Sequence, residues 1–252
     1  MTTYARQDST TMTQGGRTVY GLALGIIMLD TKFPRLRGDV GNARTWPFPV
    51  SYRIVEGALP ERMAQADPDP DLLSPFVEAA RALEAEGARA ICTSCGFLAV
   101  NQPELAAAVE IPVFSSPLLQ VPMAATSAGG RKVVILTART VLTEAHYRGA
   151  GWSSEDVAVV QMAPPEDSHF YATFVGNSPE ADIDLLERDV ADLARRVVAE
   201  HPDAGAIVME CANFPPFGQM VRTITGLPVF DLYTMGMHAY LVGSGTDFPR
   251  TL

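Results

Sequence analysis

Two stretches of this chain are copies of one another, in register and without a gap. Ala88-Arg-Ala-Ile-Cys-Thr-Ser-Cys95-Gly-Phe leads on to Ile111-Pro-Val-Phe114, and Ala204-Gly-Ala-Ile-Val-Met-Glu-Cys211-Ala-Asn leads on to Leu227-Pro-Val-Phe230. The step from Cys95 to Cys211 equals the step from Pro112 to Pro228, 116 residues. Each copy has an apolar run of strand length, a cysteine where the run stops, a helix-length segment, and a second strand opened by Pro-Val-Phe. This is a duplicated βαβ unit with one thiol per copy, and it predicts an α/β protein of two pseudo-symmetric domains. Each domain has a parallel sheet flanked by helices, and the site lies between them.

The rest of the chain fits that frame. Thr18 to Leu29, apolar throughout, reads as a strand covered on both faces and ending at Asp30-Thr31. The long aromatic-containing stretch from Phe33 to Pro49, which includes Asn42, has the length of a functional loop. Val50 to Val55 is a second strand. Leu73 to Glu86 is a helix with Ser74 as its cap, Pro75 in its first turn and Gly87 as its stop. Pro103 to Val109 is a short helix, Pro112 to Phe114 a strand, and Ser115 to Ala125 the crossing into the second half. There Arg131 to Thr137 is a strand, Thr140 caps a helix through Tyr147, and Val157 to Met162 is a strand. Pro164 to His169 is a polar loop, Ala181 to Glu200 the longest helix, and Met235 to Leu241 the last one. The expected division is a mobile tail over 1–16, a first domain over 17–115 plus 226–252, and a second over 116–225.

A net charge of −10 with no basic run removes the electrostatic footprint of nucleic-acid binding and points to a small-molecule partner. No apolar run approaches the ~20 residues of a membrane helix, and the first sixteen residues lack a signal-peptide pattern, so a cytoplasmic location is expected. Three cysteines make a disulfide framework an unsuitable reading and leave thiols for chemistry. Cys92-Thr-Ser-Cys95 also spells a redox or zinc CxxC. In the duplication, however, Cys92 aligns with Val208 and so reads as an apolar strand residue, with no second CxxC or histidine cluster to complete a metal site. His146, His169, His201 and His238 are scattered; His238, on the last helix, is the one placed to cover the site. Neither a phosphate-binding glycine motif nor a well-placed Schiff-base lysine is present, Lys32 and Lys132 being the only lysines, so neither a cofactor nor a metal is expected.

Each thiol is predicted to sit at a helix N-terminus, where unpaired N–H groups and the dipole draw a thiol pKa down from ~8.5 toward 3.5–7.5. The N–H groups of Gly96, Phe97, Ala212 and Asn213 are then available to a substrate carboxylate. Such a site suits a carboxylate-bearing molecule held between two acid/base groups. One thiolate removes a proton from one face of a carbon, and the other thiol returns one from the opposite face.

At this point the sequence resembles the cofactor-independent aspartate/glutamate racemase superfamily. The second segment, Glu210-Cys211-Ala212-Asn213-Phe214-Pro215, is similar to that family's Gly-Cys-Thr-x-x-Pro, and Ser94-Cys95-Gly96-Phe97 keeps the first cysteine of its Cys-Asn-Thr. Asp30-Thr31 resembles the family's early Asp-Ser, and Leu136-Thr137-x-x-Thr140 its Thr-x-x-Thr. The resemblance implies a racemase or epimerase of a small carboxylate, with Cys95 and Cys211 as opposed acid/base groups and Asp30 orienting Cys95. Asn42, Gly96, Phe97, Thr137, Ala212 and Asn213 would bind substrate in a dimeric, cofactor-free enzyme. Phe97 and Asn213 stand where amino-acid racemases carry other residues, which points away from free aspartate or glutamate. Maleate isomerase-like and arylmalonate decarboxylase-like chemistry use the same scaffold, and a two-lobed binding protein without catalysis is the reading outside enzymes.

Overall fold

A computed structural model describes residues 15–67 and 69–245; most of the expected tail, residues 1–14, and the stretch 246–252 lie outside the described residues. In chain order the first half holds β1 (Leu24–Leu29), β2 (Val50–Val55), α1 (Pro60–Met63), α2 (Leu73–Glu86), β3 (Ala90–Thr93), α3 (Gln102–Ala107) and β4 (Val113–Phe114). After α4 (Val121–Ser127) come β5 (Lys132–Leu136), α5 (Glu144–Gly149), β6 (Val159–Met162), α6 (His169–Phe174), α7 (Ile183–Glu200), β7 (Ala204–Met209), α8 (Gly218–Thr225), β8 (Val229–Phe230) and α9 (Leu232–Ser244).

The strands form two four-stranded sheets, ordered β2-β1-β3-β4 and β6-β5-β7-β8. Every pairing is parallel. The duplication is visible in the hydrogen-bond register itself: Ile91 pairs with Val113 and Cys92 with Phe114, as Ile207 pairs with Val229 and Val208 with Phe230.

Alternation along the strands sends successive side chains to opposite faces, and three apolar clusters result. Ile27 and Leu29 of β1, Val133 and Ile135 of β5, and Ala206 and Val208 of β7 share one central core with Phe76, Ala80 and Leu83 of α2. The outer face of the first sheet (Leu24, Ile26, Met28, Ala90, Cys92) packs on Trp46 and on Leu232, Met235 and Ala239 of α9. The outer face of the second sheet (Val134, Leu136, Ile207, Met209) packs on α6, α7 and α8. Among the described residues no helix is long and apolar enough to cross a membrane.

Several local expectations shift. The 3-10 turn Pro70–Leu72, capped by Asp69, runs straight into α2, so Ser74 lies inside the first turn rather than at the cap. Gly87 does end α2, with φ 102, the left-handed conformation glycine tolerates. Thr143, not Thr140, caps α5: its N–H donates to His146 Nδ1, which reaches back from the first turn. The polar loop expected over Pro164 to His169 ends at Ser168, which caps the short helix α6 that starts at His169 and whose far end matters below. Strand β8 is hydrogen-bonded into the second sheet, so the chain returns to the first sheet with α9, after Phe230 rather than at 226.

Candidate active site

Parallel strands of both sheets end at the same place. Cys95 follows β3, and Cys211 follows β7 with Glu210 between. Both cysteines line one cavity of about 40 Å³, together with Gly96, Phe97, Glu210, Ala212 and Asn213. Phe33 and Arg35 from the loop after β1, and Phe174 and Val175 from the end of α6, close the remaining sides. The lining is mostly apolar, as small-molecule sites usually are, with few polar groups to fix orientation.

The thiols are not drawn down. Cys95 is pushed up to about 12, first by burial and then by Glu210, with the backbone N–H groups of Phe97 and Leu98 pulling the other way. Cys211 is also raised, by burial and then by Glu210, against the N–H of Asn213. The helix-dipole expectation is thus reversed, for a structural reason. A 3-10 helix, Gly96–Asn101, follows Cys95, and a turn leading to the short 3-10 helix Pro215–Phe217 follows Cys211. The α-helices α3 and α8 begin only afterwards, so desolvation outweighs the few N–H groups that remain.

The two sulfurs have different partners. Cys211 Sγ lies 3.4 Å from Asn213 Oδ1. Asn213 Nδ2 donates to Asp39 Oδ2 at 2.8 Å, and Asp39 Oδ1 is paired with Arg35 Nη1 at 2.6 Å. Asp39 claims the amide NH₂, so Asn213 turns its oxygen toward Cys211, an arrangement that suits a thiol donating a proton. Cys95 has instead the backbone N–H groups of Phe97 and Leu98 nearby, which favour its anion but do not outweigh burial.

The remaining expected site residues divide. Gly96, Phe97, Ala212 and Asn213 line the cavity beside the thiols. Thr137 does not; its buried hydroxyl lies 2.7 Å from Glu210 Oε2, with Arg139 O at 3.1 Å. Asp30 faces elsewhere: its Oδ2 accepts from Gly57 N–H at 3.2 Å and its own N–H bonds Ala58 O, so it pins the turn after β2. Asn42 caps the short turn Ala43–Thr45 and donates to Arg35 O at 2.9 Å, a loop-building role. His238 stands edge-on to Phe114 and is absent from the lining. Cys92 points to the outer face of β3, in a different apolar cluster from Cys95, and all three cysteines are free.

A family model for Asp/Glu/Hydantoin racemases matches residues 57–240. The chain belongs to that family. A dimethylsulfoniopropionate lyase of Durusdinium sp. clade D is 32% identical over 217 residues, which is 83% of this chain and 71% of that one. Dimethylsulfoniopropionate lyase 7 of Emiliania huxleyi is 31% identical; the match covers 84% of this chain and 64% of that one, so the chain spans less than two thirds of that relative. Among solved structures, unliganded arylmalonate decarboxylase has a TM-score of 0.58 at 14% identity, covering 90% of this chain and 94% of the other. A glutamate racemase of Bacillus anthracis has a TM-score of 0.55 at 18% identity, covering 89% and 83%. Both share the two-sheet fold of the family.

Four residues of this family member's site escape a reading of the sequence. Glu210, fully buried, stands where the first copy carries Ser94, and a lone acid at the end of an apolar strand is the signal that marks it. Arg35 and Asp39 sit in the long loop after β1 with nothing local to single them out. His146, fully buried and held below its ordinary range by that burial, meets Phe97 edge-on at 5.6 Å and so fixes the aromatic wall beside Cys95. Among the described residues no group of three or more His, Cys, Asp or Glu is placed to hold a metal ion.

Proposed function

We propose that the protein is a lyase acting on a small carboxylate with an onium leaving group on the neighbouring carbon, as in dimethylsulfoniopropionate. The observation that supports this reading is the composition of the cavity. Two thiols and a buried carboxyl are set among Phe33, Phe97 and Phe174, and Arg35 is the basic side chain of the lining. A free amino acid needs acceptors for its ammonium N–H groups. A sulfonium has no N–H or O–H to satisfy and suits aromatic faces and a carboxyl group. The relatives named above carry the same activity in their names.

In this reading Arg35, which has donors to spare beyond Asp39 and Thr31, holds the substrate carboxylate. Cys95 first gives its own proton to the solvent and then, as the thiolate, takes the proton from the carbon next to the carboxylate. The electron pair of that C–H bond becomes the carbon–carbon double bond. The C–S bond breaks with its pair on sulfur, giving neutral dimethyl sulfide, acrylate and the proton held by Cys95. Cys211, turned to Asn213 as a thiol, donates toward the carboxylate as negative charge builds on it.

The test is headspace measurement of dimethyl sulfide, with acrylate in equal amount, from the purified protein and dimethylsulfoniopropionate. Cys95→Ser is expected to lower turnover by about 10²-fold or more. No dimethyl sulfide from the wild-type protein sinks the reading.

A racemase is the second reading, favoured by the equivalent positions of two thiols on one cavity. It requires deuterium entering the α carbon of an amino acid or hydantoin with loss of optical activity. It also requires Cys95→Ser and Cys211→Ser to abolish racemisation equally.

A further inference from the structure

We propose that the Glu210 side chain receives the positively charged end of the substrate, an onium group. Glu210 is fully buried and lines the cavity between the two thiols. Thr137 Oγ1 bonds its Oε2 at 2.7 Å, whereas its Oε1 is buried without a hydrogen-bond partner. That free oxygen lies against Gly96: a Cβ at residue 96 would collide with Glu210 Oε1 and with its backbone oxygen. An acid so placed is costly to keep, since an unpaired buried polar group loses its water without replacement. No basic group acts on the Glu210 carboxyl among the described residues: only burial and the Thr137 hydroxyl set its state, and Arg35 of the lining bonds Asp39 and Thr31 instead.

An onium cation would repay that cost. Such an ion is held by negative charge and aromatic faces rather than by hydrogen bonds, and Phe33, Phe97 and Phe174 line the same cavity. Burial pushes the Glu210 carboxyl up to about 8, so it keeps its proton at neutral pH. The titratable groups within its field are Cys95, Cys211 and Tyr147, all raised themselves and therefore neutral beside it. Entry of the cation lets Glu210 ionise: the carboxylic acid becomes a carboxylate and its proton passes to the buffer.

This inference rests on the lyase reading for its choice of cation, but its test does not need turnover. Two probes of matched shape serve: 3-(trimethylammonio)propionate, which is slow to eliminate, and its uncharged-end counterpart 4,4-dimethylpentanoate. Titration calorimetry at pH 7 in two buffers of different ionisation enthalpy gives affinity and proton release together. The wild-type protein is expected to bind the cationic probe at least about tenfold tighter and to release a proton on binding it. Glu210→Gln should erase both the preference and the release while keeping the wild-type circular dichroism. Should Glu210→Gln fail to fold, Glu210→Asp keeps a carboxyl, and is expected to keep the proton release with a weaker preference. Equal affinity of the wild-type protein for the two probes, binding of neither, or an unchanged preference in a folded Glu210→Gln or Glu210→Asp protein each overturns the proposal. Cation preference without dimethyl sulfide formation removes the lyase reading and leaves Glu210 its role; dimethyl sulfide formation with an unchanged preference in Glu210→Gln does the reverse.

Discussion

Asp39 is only 2% exposed, yet it holds an ion pair with Arg35, the N–H of Gly41 and the amide of Asn213. Asp30, in the same segment, holds the single N–H of Gly57 at a half-buried position. Removing one partner of a buried, hydrogen-bonded pair strands the other, at a cost of ~3–5 kcal/mol, while a lone neutral hydrogen bond is worth ~1 kcal/mol. Asp39→Asn should therefore shift the urea midpoint by several times as much as Asp30→Asn, and equal shifts would refute the ranking. Sequence reading favours Asp30, because it stands at a strand end, and passes over Asp39, whose bond to Asn213 spans 174 residues. The cysteines are legible because duplication marks them twice; Glu210 belongs to one copy alone. Its titration carries a second prediction at this scale. The carboxyl lies at its ordinary 4.5 when unfolded and at about 8 when folded, so the folded state binds its proton more tightly. The resulting stability is complete below pH 4.5 and is lost as pH rises to about 8. Glu210→Gln should flatten the fall of Tm across that window, measured by thermal melts at half-unit steps, and a slope as steep as wild type would contradict the assignment.

The elements that carry these residues are short, and their packing is close. The 3-10 helix Gly96–Asn101 carries the backbone N–H groups of Phe97 and Leu98 that lie near Cys95, and α5 lies directly against it. The contact is made through Gly149, where a Cβ would collide with Ala99 O and lie 2.9 Å from Val100 Cα. Gly149→Ala must push α5 away from the 3-10 helix, an overpacking cost of ~1–3 kcal/mol. It should also lower activity by shifting Gly96 and Phe97, which line the cavity beside Cys95. Gly151 has open space around it, so Gly151→Ala meets only the left-handed backbone at φ 86, a cost of ~1–2 kcal/mol with activity unchanged. Urea melts and dimethyl sulfide assays on both variants separate the two effects, and an active Gly149→Ala enzyme would show that the 3-10 helix tolerates displacement. A helix after each cysteine is legible from segment length. Its type is not, because the α-helical turn begins where Pro103 sits near the start of α3 and where Pro215 opens a 3-10 turn before α8. That difference of a few residues is what leaves the thiols without an α-helix N-terminus.

The whole molecule is two sheets of identical order, and the alternation of apolar strands with helices made that arrangement legible. What strand patterns do not convey is how the halves are joined. The central core takes side chains from both sheets, so neither half has a complete apolar interior without the other. The two crossings are also tied: Gln120 Nε2 donates to Asp231 O at 2.9 Å, and Thr234 Oγ1 lies 3.2 Å from Gln120 Oε1. Halves that share a core and bond at both crossings should unfold together. The two tryptophans of the chain report on this separately. Trp46 packs with α9 on the outer face of the first sheet, while Trp152 stacks on Tyr147 in the central core and donates to Leu118 O at 2.9 Å. Fluorescence melts of Trp46→Phe and Trp152→Phe, each leaving one reporter, should superimpose on the circular dichroism melt of the same variant. A first-sheet reporter that changes several degrees before the far-ultraviolet signal would mean that the sheets open independently. The cavity between the thiols would then lose its shape before the protein loses its fold.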